Sequence, residues 1–95
     1  MYLIIYDITE NSLRTKVSNL LIQEGYERLQ FSVFTGYFNP QKNKVWQQLT
    51  KWMATSDNSI ICIKIRSKNF LSMQILGRFT IDLNDLAGNK ITKII

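Results

Sequence analysis

The chain has 95 residues, with 12 basic and 7 acidic side chains, a net charge of +5, 45% hydrophobic residues and no histidine. That length makes one small domain with a modest core, which association with a second copy would enlarge. Without histidine, any catalysis must come from carboxylates, hydroxyls or water activated by a metal.

No apolar run approaches the roughly 20 residues of a membrane span. The N-terminus lacks the basic segment of a secretory signal. Cys62 is the one cysteine, which excludes an internal disulfide and a cysteine-based zinc site, and its isoleucine neighbours point to the core. These features predict a cytoplasmic protein with no membrane association. The positive charge is compatible with a polyanionic partner.

Tyr2-Leu3-Ile4-Ile5-Tyr6-Asp7-Ile8 opens the chain. A short unbroken run of β-branched and aromatic residues predicts a strand covered on both faces. Side chains alternate, so Leu3, Ile5 and Asp7 share one face, while Tyr2, Ile4 and Tyr6 share the other. Asp7 ends a buried row: it either begins a turn or caps the next helix, or it is a metal ligand or catalytic acid at a strand end.

Thr9-Glu10-Asn11-Ser12 has the composition of a helix start. Leu13, Val17, Leu20 and Leu21 then form one helical face, and Gly25 stops the helix. Arg14 and Lys16 flank that apolar stripe on opposite sides. They read either as solvated charges or as phosphate ligands near a helix N-terminus.

Residues 27–38 form an extended block in which Leu29, Phe31, Val33 and Thr35 alternate with Arg28, Gln30, Ser32 and Phe34. It is either one bent strand or a hairpin reversing near Gln30–Ser32. Ser32 is expected to be structural, with a possible hydroxyl contribution to a site. Gly36 allows a bulge or a close backbone approach.

Asn39-Pro40 predicts the start of a second helix, with Val45, Leu49, Trp52 and Met53 on its apolar face and Trp46 beside it. Both tryptophans read as core rather than as base-stacking platforms. Residues 59–66 predict a core strand with Ile61, Ile63 and Ile65 on one face. Residues 67–77 fit neither helical nor strand spacing. Phe79-Thr80-Ile81 has the pattern of a short strand, Gly88-Asn89 of a turn, and residues 90–95 of a terminal strand.

The order β-α-β(β)-α-β is that of an α+β, ferredoxin-like βαββαβ sandwich, here with an extra C-terminal strand. Both helices would cover one face of a four-stranded antiparallel sheet. The apolar first strand requires cover on the other face too, and a second copy of the chain is the expected cover, with the terminal strand pairing across the interface.

Tyr6-Asp7-Ile8, Arg14, Gly25 and the run Gln30-Phe31-Ser32-Val33-Phe34 together resemble the CRISPR-associated protein 2 family over roughly residues 1–65. The resemblance implies a homodimer that works with the CRISPR integrase, CRISPR-associated protein 1, in acquiring spacers. It implies contacts to duplex DNA and, in some members, a metal-dependent nuclease acting on single-stranded RNA or double-stranded DNA. Asp7 matches the family aspartate assigned to the metal, Mg2+ or Mn2+. Arg14 matches a basic helix position, and Lys16 stands where a second arginine is frequent. Arg28 and Phe34 fall at positions linked to activity. A lysine at position 16 offers a point charge where arginine would grip phosphate with two bonds.

The absence of histidine is consistent with metal-assisted phosphodiester cleavage. One carboxylate is a sparse magnesium site, but a two-fold axis near the strand end would bring two Asp7 side chains together. Arg14, Lys16, Lys42, Lys44, Arg66, Lys68 and Arg78 are spread as sequence-tolerant phosphate contacts require. Two other readings remain: a stand-alone, toxin-like metal-dependent RNase of the same fold, and a non-catalytic RNA-binding module. The second would need the Arg/Lys-Gly-Phe-Gly-Phe pattern, which this chain lacks.

Overall fold

The computed structural model describes residues 1–54, 57–74 and 76. The elements are β1 (Tyr2–Asp7), α1 (Asn11–Gln23), β2 (Glu27–Gln30), β3 (Val33–Gly36), a 3-10 turn (Pro40–Lys42), α2 (Lys44–Met53), β4 (Ser59–Lys64) and α3 (Ser67–Leu71). The sheet runs in the order β2-β3-β1-β4, and every neighbouring pair is antiparallel. This is the ferredoxin-like arrangement, with β1 inserted between β3 and β4.

The extended block is a hairpin. Its reversal falls at Phe31-Ser32, so Ser32 lies in the turn rather than within a strand. No Asn-Gly pair is needed, because an irregularity between Arg28 and Gln30 shifts the register and the Tyr6 N–H donates to the Ser32 carbonyl at 3.0 Å. The turn is thereby tied to the central strand.

The first apolar row packs as its spacing requires. Ile4, Tyr6 and Phe34 from the sheet meet Val17 and Leu21 of α1 and Val45 and Leu49 of α2 in one buried cluster. Trp46, Trp52 and Met53 lie half-buried against it, which agrees with a core role for the tryptophans. Cys62 is half-buried at the same cluster, and burial raises its thiol pKa above 9.0.

Gly25 ends α1 with φ +93°, a left-handed conformation that a Cβ disfavours. Gly36 is needed for a different reason. The Tyr26 ring lies against it so closely that a Cβ there would meet Tyr26 Cδ1 at 2.5 Å. The Tyr26 hydroxyl donates to the Phe38 carbonyl at 2.7 Å and fixes that ring. Desolvation raises its pKa above 10.0, against a smaller lowering from a hydrogen bond with Asn43.

Three details differ from the sequence-based expectation. First, Asn39-Pro40 opens the 3-10 turn, not α2. Asn39 accepts from the Gln41 N–H at 3.0 Å, and Asn43 then caps α2 by accepting from the Val45 N–H at 2.9 Å. Two asparagines four residues apart thus each cap their own element, and only the second leads into the apolar stripe.

Second, α1 begins where expected but without a side-chain cap. The Thr9 N–H donates instead to Asn58 Oδ1 at 3.1 Å, which joins the exit of β1 to the entry of β4.

Third, the sheet face away from α1 and α2 is partly covered from within the chain. The ambiguous stretch after β4 folds into α3 and buries Phe70 completely against Leu3 and Leu29. Five residues are too few for a self-supporting helix, but a fully buried phenylalanine contributes about 1.5–3 kcal/mol, enough to hold it down. The cover stops short of β4, where Ile61 and Ile63 remain 54% and 42% exposed. The readings at 79–81, 88–89 and 90–95, Arg78 included, lie outside the described residues.

Candidate nucleic-acid interface

Asp7 is the last residue of β1, paired in register with Ser59 of β4, and it is exposed. Strand alternation puts it on the same face as Leu3 and Ile5, away from α1 and α2. Across the ladder, Leu3 opposes Ile63 and Ile5 opposes Ile61. Asp7 therefore terminates the partly open apolar face, beside the two isoleucines that α3 leaves uncovered.

Arg14 and Arg28 lie on the other face. Arg14 is half-buried, and its Nη1 donates to the Ile8 carbonyl at 3.4 Å, one residue beyond Asp7. Its guanidinium carbon lies 5.5 Å from the centroid of the Phe31 ring. Arg28, on β2 opposite Phe34, holds its guanidinium 5.0 Å from the Phe34 centroid. Tyr6, Asn11, Arg14, Thr15, Ser18, Arg28 and Phe31 line a cavity of about 300 Å³ between the first half of α1 and the β2–β3 turn. Two guanidinium groups and a carboxamide supply donors suited to an oxyanion such as phosphate, while the Tyr6, Thr15 and Ser18 hydroxyls each donate to a backbone carbonyl.

Lys16 does not join that cavity. Its ammonium lies 5.9 Å from the Trp52 ring centroid, on the α2 side of the helix. Positions 14 and 16 are about 200° apart around a helix, so the two charges serve different surfaces. Phe34 is also removed from direct ligand contact. It is fully buried, stacked on Tyr6 at 6.1 Å and 23°, with Arg28 above it. Its role here is to seat Arg28. Ser32 is half-buried and contributes its carbonyl to the Tyr6 N–H.

Sequence reasoning missed Asn11, Thr15 and Ser18 as pocket residues. The signal was present, because these positions repeat at i, i+4 and i+7 beside the apolar stripe and so form a polar stripe facing the turn. Ser18 is buried, with its hydroxyl satisfied by the Thr15 carbonyl at 3.1 Å.

Among the described residues, no group of three or more His, Cys, Asp or Glu side chains is placed to hold a metal ion. Asp7 alone fits only the kind of site that magnesium accepts, with one or two carboxylates and the remaining positions taken by water and substrate phosphate. No described helix is long and apolar enough to cross a membrane.

Comparison with known proteins agrees with this fold. The chain is 41% identical over 64 residues to the CRISPR-associated endoribonuclease Cas2 2 of Pyrobaculum aerophilum, covering 66% of this chain and 70% of that protein. It is 30% identical over 66 residues to the CRISPR-associated endoribonuclease Cas2 1 of Archaeoglobus fulgidus, covering 68% and 70%. A crystal structure of a hypothetical protein from Thermus thermophilus shares the fold, with a TM-score of 0.60 and 23% identity over 84% of this chain and 93% of that one. The pattern of the family described as CRISPR associated protein Cas2 matches residues 1–73, from β1 through α3. The strand that carries Asp7, the hairpin and the basic pocket all fall within that match, and the chain belongs to the CRISPR associated protein Cas2 family, with a CRISPR-associated function.

Proposed function

We propose that this protein is a homodimeric subunit of spacer acquisition that binds nucleic-acid backbones beside the CRISPR integrase, CRISPR-associated protein 1. It also cleaves phosphodiester bonds with Mg2+ or Mn2+ held at Asp7. The observation that carries this reading is the position of Asp7, exposed at the end of β1 on a sheet face whose isoleucines Ile61 and Ile63 are still open to solvent. Two copies packed through that face around a two-fold axis would bring their Asp7 carboxylates to one site. The names of the relatives from Pyrobaculum and Archaeoglobus, both endoribonucleases, support RNA as a substrate.

Each group then has a part. Asp7 supplies the carboxylate that would hold the cation, and a cation bound there would orient water and neutralise phosphate charge. Arg14 and Arg28 bind backbone phosphate in the cavity beside α1, and Phe34 keeps Arg28 in place. Lys16 adds a phosphate contact on the α2 side, as a point charge.

The test is Asp7→Asn, which keeps shape and removes charge. It should abolish cleavage of single-stranded RNA and duplex DNA in the presence of Mg2+ while dimerisation, backbone binding, integrase co-purification and spacer integration persist. Wild-type cleavage by this variant would remove Asp7 from the mechanism. A wild-type protein that cleaves RNA but neither binds the integrase nor supports integration would be a stand-alone RNase.

A further inference from the structure

Phe31 is the most exposed aromatic ring among the described residues, at 69%. It occupies a two-residue turn, where a solvated polar side chain would serve the fold equally well. Its backbone is nonetheless fixed, because the Phe31 carbonyl accepts from the Tyr6 hydroxyl at 3.4 Å, and the Arg14 guanidinium lies 5.5 Å from the ring centroid. It borders the cavity that contains both Arg14 and Arg28. At about 300 Å³, that cavity is at the small end of ligand sites, suited to a single nucleotide unit and not to a stacked, paired helix.

We infer that Phe31 is a stacking platform for one unpaired base, with the adjoining phosphate taken by Arg14 and Arg28, and that this site selects single-stranded nucleic acid. A base in a duplex has both faces stacked and cannot lie on an external ring without being extruded. An unpaired base can, whatever its identity, because every base presents a π-face. Arg14 serves both parts of the site: it lies against the ring and extends its charge toward the cavity. The platform reads strandedness and leaves base sequence and sugar type unread. This inference rests on the proposed function, because it assigns a substrate class to the same phosphate-binding pocket.

The test measures binding without cleavage, in EDTA, by fluorescence anisotropy. The probes are one mixed sequence as single-stranded RNA, single-stranded DNA, an abasic single strand and duplex DNA. Phe31→Ala should weaken both base-bearing single strands by about ten-fold or more, the loss of one stacked base, with duplex and abasic binding changed by less than about two-fold. Phe31→Tyr should restore single-strand affinity, which a loss of fold would not permit. Equal loss on all probes, or no loss on the base-bearing strands, would overturn the platform while leaving the phosphate pocket standing. Failure of the wild-type protein to bind any probe would instead overturn the proposed function and this inference with it.

Discussion

Replacing Gly36 by alanine tests whether the Tyr26 ring is as firmly seated as its contacts imply. A Cβ at position 36 would stand 2.5 Å from Cδ1, 3.0 Å from Cε1 and 3.3 Å from Cγ of Tyr26. The ring cannot swing aside at low cost, because it is buried and its hydroxyl is bonded to the Phe38 carbonyl at 2.7 Å. Overpacking of this kind costs about 1–3 kcal/mol, and a ring displaced from its bond gives up a further ~1 kcal/mol. Against this, alanine narrows the unfolded ensemble by about 0.4–1 kcal/mol where the native backbone suits it, and Gly36 is not at positive φ. The net is a loss of about 2 kcal/mol, or roughly 8–16 °C in Tm for a chain of this size. Thermal melts followed by circular dichroism, at matched protein concentration, measure it. Gly25 provides the contrast: its φ is +93° and the nearest atom to an added Cβ is Phe38 Cε2 at 3.7 Å, so its constraint is backbone and not space. Asparagine, which tolerates the left-handed region, should therefore recover part of the loss at position 25 and deepen it at position 36. A Gly36→Ala protein melting within about 2 °C of wild type would refute the seating of Tyr26, since such a shift is at most half of what about 1 kcal/mol produces here.

Ile61→Glu should turn the proposed dimer into a folded monomer by light scattering at micromolar concentration, because a residue 54% exposed in the single chain contributes little to its own fold; a dimer unchanged by the substitution would place the interface elsewhere. Alkaline pH should destabilise the protein through Tyr26. Burial holds its phenol above the ordinary 10.0, so the unfolded chain loses that proton first. The contribution is complete below about pH 10 and is lost as pH rises through the folded-state value. Urea midpoints between about pH 9 and about pH 11 should fall more steeply for wild type than for Tyr26→Phe, although the variant starts lower, having lost its bond to the Phe38 carbonyl.

Local chemistry alone determined much of this protein. The unbroken apolar run of β1, the i, i+4, i+7 stripe of α1, the stop at Gly25 and the alternation through residues 27–38 are short-range signals, and together they specify the ferredoxin-like order. Asp7 at a strand end and Arg14 in the first turns of a helix were legible for the same reason. What the chain could not show by itself depends on contacts between residues far apart in sequence. Phe70 belongs to a segment without a clear period, and it becomes helical because Leu3 and Leu29 offer it a place to be buried. Helical spacing alone put Arg14 and Lys16 on opposite flanks of α1, but their partners, the Phe31 ring of the hairpin and the Trp52 ring of α2, come only from the fold. Phe34 and Phe31 sit three residues apart in one motif, yet the turn at Phe31-Ser32 buries one and exposes the other. Spacing along the chain determines which residues share a face, but only the packing of α1 against the hairpin decides which of those faces becomes core and which becomes a site.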